Sequence, residues 1–243
     1  MSWSSGFLVI VLIPSASAAQ QAIISMPSAD TTPAGEVFVM HESQARPWAP
    51  GPYWNTTHFF TFGVGNGFEL TATLFNVEAP ITDRPGLALG FKMTKPLLTE
   101  ALPTSSVAVT FGMKAVISLA GQGTGHWLYG HLSARLPVLR TRVAAGWSHA
   151  TSQLFKVEKL VFIGSIEQPL GTEKLNAVAE WFSGQHDLGN FVAGVTFHPN
   201  HSWIFVLGFK VPTSGPEYGA GKHAFIAEVG FLWDVASQAF AVQ

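Results

Sequence analysis

From Trp203 to Val211 the chain alternates without a break: Trp203, Phe205, Leu207, Phe209 and Val211 share one side, and Ile204, Val206, Gly208 and Lys210 the other. Successive side chains of a strand point to opposite faces, so this spacing predicts a β-strand with one wholly apolar face. The preceding run repeats it, with Phe191, Ala193, Val195 and Phe197 against Val192, Gly194 and Thr196, and His198-Pro-Asn-His-Ser202 reads as the hairpin turn between the two. Nearer the N-terminus, Phe60, Phe62 and Val64 lead through Gly65-Asn66-Gly67 into Phe68, Leu70, Ala72 and Leu74, with Thr61, Gly63, Glu69, Thr71 and Thr73 opposite. Asn-Gly between alternating runs is the strongest short hairpin signal.

The same period of two runs through residues 87–94, 107–114, 128–136, 142–148, 160–167, 176–181 and 225–233, with a weaker strand at 36–41 and another at 53–64. These runs predict an all-β chain of about twelve strands. A soluble β-sandwich also alternates, so the polar face has to decide the environment. Here that face carries single charges set among Gly, Ala, Ser and Thr instead of a dense Lys, Glu and Gln surface. Small residues with isolated charges suit the lumen of a barrel, and Phe, Leu, Val and Trp suit lipid.

Composition points the same way. Only 12% of the 243 residues are charged while 47% are hydrophobic, against about 25% charged in soluble domains. No later segment approaches the 18 consecutive apolar residues of a membrane-spanning helix, so the hydrophobicity is distributed in short pieces. Gly and Pro are spread evenly and no charge block marks a boundary, which predicts one domain over 20–243. Residues 1–19 read as a signal peptide: an apolar core at 6–13 ends at Pro14, and Ala16 and Ala18 satisfy the Ala-x-Ala cleavage pattern. Zero cysteines exclude disulfides, thiolate metal sites and iron–sulfur clusters. A net charge of -2 without clustered Lys and Arg gives no footprint for nucleic acid.

Connections fall alternately at two ends, mostly short at one and longer at the other, and Trp48, Tyr53, Trp54, Trp127, Trp147, Trp181, Trp203 and Trp233 lie near strand ends as interfacial girdles do. On the alternating strands, the two loop classes and the girdles, the chain resembles bacterial outer-membrane β-barrel proteins over nearly its whole mature length. The resemblance implies a transmembrane antiparallel β-barrel with up-and-down meander topology, export to the bacterial outer membrane, contact with outer-membrane lipid, and assembly by the barrel-insertion machinery. Members of that superfamily end the last strand on an aromatic residue; here Phe225, Phe231 and Trp233 precede a tail ending Phe240-Ala-Val-Gln243.

The lumen-facing positions collect Glu69, Lys92, Lys114, His131, Arg135, Arg142, Glu167, Glu180, Lys210 and Glu228. Two readings follow. Opposed charges filter small polar solutes in a narrow porin-like channel, or the charges pair and close the barrel, leaving a structural scaffold that binds another envelope protein. Outer-membrane barrels also include lipid acyl hydrolases with Ser and His on the outer face. Ser148-His149 is the nearest pair by sequence, but adjacent strand residues point apart, and no Gly-x-Ser-x-Gly elbow occurs. No catalytic residue is therefore assigned. His198 and His201 with His186 and His223 fall at opposite barrel ends, so no metal site and no cofactor are expected. The polar run Met40 to Trp48 reads as a first extracellular loop.

Overall fold

Asn66 and Gly67 both take left-handed φ, 54° and 72°, the two-residue geometry whose twist matches the strands it joins. It connects β2 (Tyr53–Gly65) to β3 (Phe68–Val77), the first of a series of antiparallel neighbours. The remaining strands are β1 (Glu36–Arg46), β4 (Gly86–Leu98), β5 (Ser106–Ser118), β6 (Thr124–Arg135), β7 (Arg142–Ala150), β8 (Leu160–Pro169), β9 (Leu175–Phe182), β10 (Asn190–Phe197), β11 (Trp203–Pro212) and β12 (Ala224–Asp234). This computed structural model describes residues 24–48, 53–77, 85–98, 106–137, 139–151, 159–172, 174–184, 188–213 and 223–235. The segment 1–19, expected to be a signal peptide, and His186 lie outside the described residues, as does the tail from residue 236.

Every strand pairs with its sequence neighbours, and β1 pairs antiparallel with β12 from Glu36↔Asp234 to Ala45↔Phe225, closing the sheet into a barrel. Closure pairs the backbone groups of every strand on both sides, which is what a sheet in a membrane requires. The expected antiparallel meander of twelve strands is what the chain forms.

The alternation sorts the two faces. On β11, Trp203, Phe205 and Leu207 are exposed while Ile204 and Val206 are buried, and on β12 Phe225 and Val229 are exposed while Ile226 and Glu228 are buried. Leu132, Trp147, Leu160 and Leu207 stand 56%, 60%, 63% and 63% exposed. An outer wall carrying side chains this apolar fits hydrocarbon and not water.

Several strands outrun their expected bounds, and two of them, β1 and β4, run on into segments that read as loop. The first was expected over 36–41 with a loop beginning at residue 43, yet β1 continues to Arg46, so most of the run from Met40 to Trp48 is strand and not extracellular loop. Hydropathy alternation fails there because the inward residues Glu42 and Gln44 are polar, while the ladder to β2 and β12 continues. Likewise β4 runs through Pro96 to Leu98, where a register shift between Pro96 and Leu98 accommodates the residue without an N–H.

Candidate functional site

The barrel interior is filled by the chain's own residues 24–34. Ile24 and Met26 are fully buried, and each anchors an apolar cluster with inward-pointing residues: Ile24 with Phe38, Val178, Val192, Ile204 and Ile226, and Met26 with Tyr129, Ile163 and Phe182. A twelve-stranded lumen lies between the filled eight-stranded barrels and the open sixteen-stranded porins, so a strap of backbone threaded through it displaces much of the space that water would occupy.

Polar groups of the wall hold the strap. The Glu180 carboxylate accepts three successive backbone N–H groups, from Ile24 at 2.7 Å, Ser25 at 2.6 Å and Met26 at 3.0 Å. Glu69 accepts the Thr32 backbone N–H at 2.7 Å and the Thr32 hydroxyl at 3.0 Å, and is ion-paired to Lys92 at 3.1 Å. Lys92 in turn donates to the Asp30 carbonyl. Arg142 bridges Asp30 at 2.6 Å and Glu167 at 3.4 Å. Burial works to raise the Asp30 carboxyl, but the Arg142 guanidinium overrides it and holds the group below its ordinary value of 3.8. Gly63 is the contact point of strap and wall, because a Cβ there would meet the Pro33 carbonyl oxygen at 1.8 Å. The Gly35 N–H then donates to the Gly63 carbonyl at 2.9 Å, and the chain passes into β1.

The ten residues singled out from the sequence all lie on inward positions of their strands, but they separate into groups. Glu69, Lys92, Arg142, Glu167 and Glu180 belong to the strap's network through the contacts above. His131 lies against the Pro27 backbone. Lys114 donates to the Thr73 hydroxyl at 2.9 Å and sits 5.4 Å over the Trp127 ring. Lys210 donates to Gln44, whose amide donates to Glu42 at 2.7 Å, and Glu42 is the cross-strand partner of Glu228. Arg135 is cross-strand from Arg142 and half-buried at the short-turn end. Ser148 and His149 diverge: Trp127 Nε1 donates to the Ser148 hydroxyl inside, while the His149 ring stacks on His126 on the outer face.

Sequence reasoning missed Asp30, Thr32, Glu42 and Gln44. Asp30 and Thr32 lie in a stretch with no alternation at all, and that stretch occupies the lumen with no more than an isolated bridge at Pro27. The available signal was Glu180, a single acid among apolar neighbours that demanded donors from somewhere in the chain.

A closed twelve-stranded antiparallel barrel with an apolar outer wall and a charged, occupied interior defines a transmembrane β-barrel. Among solved structures the chain is similar to the KdgM porin, and to the KdgM porin in complex with disordered oligogalacturonate. Each is 11% identical with a TM-score of 0.50, over 82% of this chain and 98% of that chain. The fold is therefore that of the KdgM porins. No family model and no curated protein matches the chain.

Proposed function

We propose that the chain is a porin-like barrel of the bacterial outer membrane, passing small polar solutes, with the strap at 24–34 as a removable plug. The observation that carries this reading is the way the strap is held. Its grip depends on hydrogen bonds and ion pairs to wall charges, Glu69, Lys92, Arg142 and Glu180, which stay on the wall when the strap leaves. Vacated, they line a polar passage with both signs of charge, the arrangement that sorts small polar molecules by a transverse field.

The wall contains Lys92, Lys114, Arg135, Arg142 and Lys210 against Glu42, Glu69, Glu167, Glu180 and Glu228. Oligogalacturonate, bound by the neighbouring porin, is a polyanion, and a balanced wall is less suited to it than a cationic one. Small zwitterionic or neutral polar solutes fit better. Residues 1–19 act in this reading as the export signal.

A second reading, a permanently closed scaffold barrel that binds another envelope protein, is favoured by the apolar contacts of Ile24 and Met26. Planar-bilayer recording of the mature chain and of a variant lacking residues 20–34 separates the two. Stable ohmic steps from the deletion variant, with rare openings of the full chain, are the expected result. Silence from a deletion variant that still shows heat-modifiable migration overturns the channel and leaves the scaffold.

A further inference from the structure

The lipid-facing wall carries a polar cluster that the lumen does not use. His41 on β1 and His58 on β2 are cross-strand partners on the outer face, with ring centroids 4.9 Å apart and Nδ1 atoms 3.4 Å apart. Two residues along β1, on the same face, the Ser43 hydroxyl lies 2.8 Å from His41 Nε2. Polar and ionisable groups facing lipid are costly, so a chain of three on a largely apolar wall asks for a chemical role. The other outward histidine pair, His126 and His149, lies close to the long-loop ends of β6 and β7, and the adjacent Ser148 points into the lumen.

The order of the contacts is that of an activated nucleophile. With His41 Nδ1–H donating to His58 Nδ1, the free Nε2 lone pair of His41 faces the Ser43 hydroxyl: a nucleophile on a base, and the base oriented by a third group. Depth and shape agree. Ser43 is three residues from the end of β1 at Arg46, about 10 Å along the strand, and beyond it Trp48 packs on Phe209 and Phe225 as part of the aromatic girdle. In register Ser43 lies opposite Ala227, the partner of Leu207 on β11, so the site sits below the girdle, within reach of a lipid whose acyl ester dips into the wall. From the histidines a groove of about 540 Å³ runs along the wall away from the girdle, lined by His41, His58, Val39, Phe60, Leu74 and Phe231. Apart from the two histidines its lining is apolar, as an acyl chain requires.

We propose that Ser43, His41 and His58 form a hydrolytic centre on the outer wall that cleaves the carboxylic ester of a membrane glycerolipid lying in this groove. Ser43 Oγ attacks the ester carbonyl carbon and its proton passes to His41 Nε2. Collapse of the tetrahedral adduct breaks the bond to the glycerol oxygen, which takes the proton from His41 and leaves as the lysolipid. Water then attacks the Ser43 acyl ester, gives a proton to His41, and the acyl group departs as a fatty acid while the proton returns to Ser43. His58 is a positioning residue, accepting from His41 Nδ1–H throughout. The centre is on the opposite face of the wall from the strap, so it stands or falls independently of the channel.

The test uses the mature chain refolded in detergent micelles, incubated with phosphatidylethanolamine in one arm and with a long-chain alkylsulfonyl fluoride as a covalent trap in another. Expected are equal amounts of fatty acid and lysolipid, and a sulfonyl label on Ser43. Ser43→Ala and His41→Asn should each lower turnover by at least about 10³-fold. His58→Phe should lower kcat by about 10²-fold with KM little changed, and His58→Asn, which keeps an acceptor, should recover part of it. His149→Phe should leave turnover unchanged. Heat-modifiable migration verifies that each variant is a closed barrel. No turnover and no label in the unsubstituted chain, full turnover by Ser43→Ala, or a label on another serine each overturns the proposal.

Discussion

Glu180 and Ile24, 156 positions apart in the chain, are joined by a 2.7 Å hydrogen bond from the Ile24 backbone N–H to the Glu180 carboxylate. The same carboxylate takes the next two N–H groups, so one wall residue fixes the entry of the strap into the barrel. Hydrogen bonds to a charged group contribute about 1.5–3 kcal/mol. Glu180→Gln, which keeps the shape and removes the charge, should therefore raise hydrogen exchange at the Ile24, Ser25 and Met26 amides by about 10- to 100-fold, with strand amides unaffected. Unchanged protection of those three amides would show that apolar packing alone seats the strap.

Gly63 should be the most sensitive single position for strap docking. A Cβ there collides with the carbonyl oxygens of Pro33 at 1.8 Å and Thr32 at 2.4 Å, both main-chain atoms that cannot turn aside. Gly63→Ala should expose 24–34 to added protease while the barrel keeps its heat-modifiable migration. An intact strap after digestion would sink the assignment of Gly63 as the contact point.

Asp30 links docking to pH. Its carboxyl is held below 3.8 when docked, mainly by Arg142 working against burial. A carboxyl depressed in this way stabilises the docked state fully above its ordinary value, and that contribution is lost as pH falls through the docked-state value. Strap protection in the unsubstituted chain minus that in Asp30→Asn should accordingly be constant from neutral pH down to about 4 and shrink below it. A difference already vanishing between pH 5 and 7 would contradict the Arg142–Asp30 pair as the cause.

Leu207 is 63% exposed near the middle of β11, where the outer wall meets the bilayer centre. Leu207→Arg should cost about 2–4 kcal/mol in barrel stability, measured by denaturant unfolding from lipid vesicles. The same change at Leu136, 45% exposed just past the end of β6, should cost about 0–1 kcal/mol. Equal costs at the two positions would mean that the outer wall does not face lipid.

Local pattern alone determines the barrel wall. Alternation from Trp203 to Val211 and the Asn66-Gly67 turn are short-range properties, because strand faces and hairpin twist are set by neighbours one or two residues away. The inward positions of Glu69, Lys92, Arg142 and Glu180 follow from the same period, as does the divergence of Ser148 and His149. The pattern breaks where polarity ceases to mark exposure. Glu42 and Gln44 look like loop residues because a lumen accepts polar side chains, and only the ladder between β1 and β12 shows that they are strand.

Tertiary structure decided what those positions touch. Nothing local tells residues 24–34 to enter the lumen; Glu180 and Glu69 bind their N–H groups only after β3 and β9 have been brought to opposite parts of one closed wall. The register of β1 on β2 likewise decided that His41 meets His58 across a strand pair, with Ser43 on the same face, since a register one residue different would turn β1's side chains to the other side. Sequence period sets which way a side chain points, and register sets which partner it finds there.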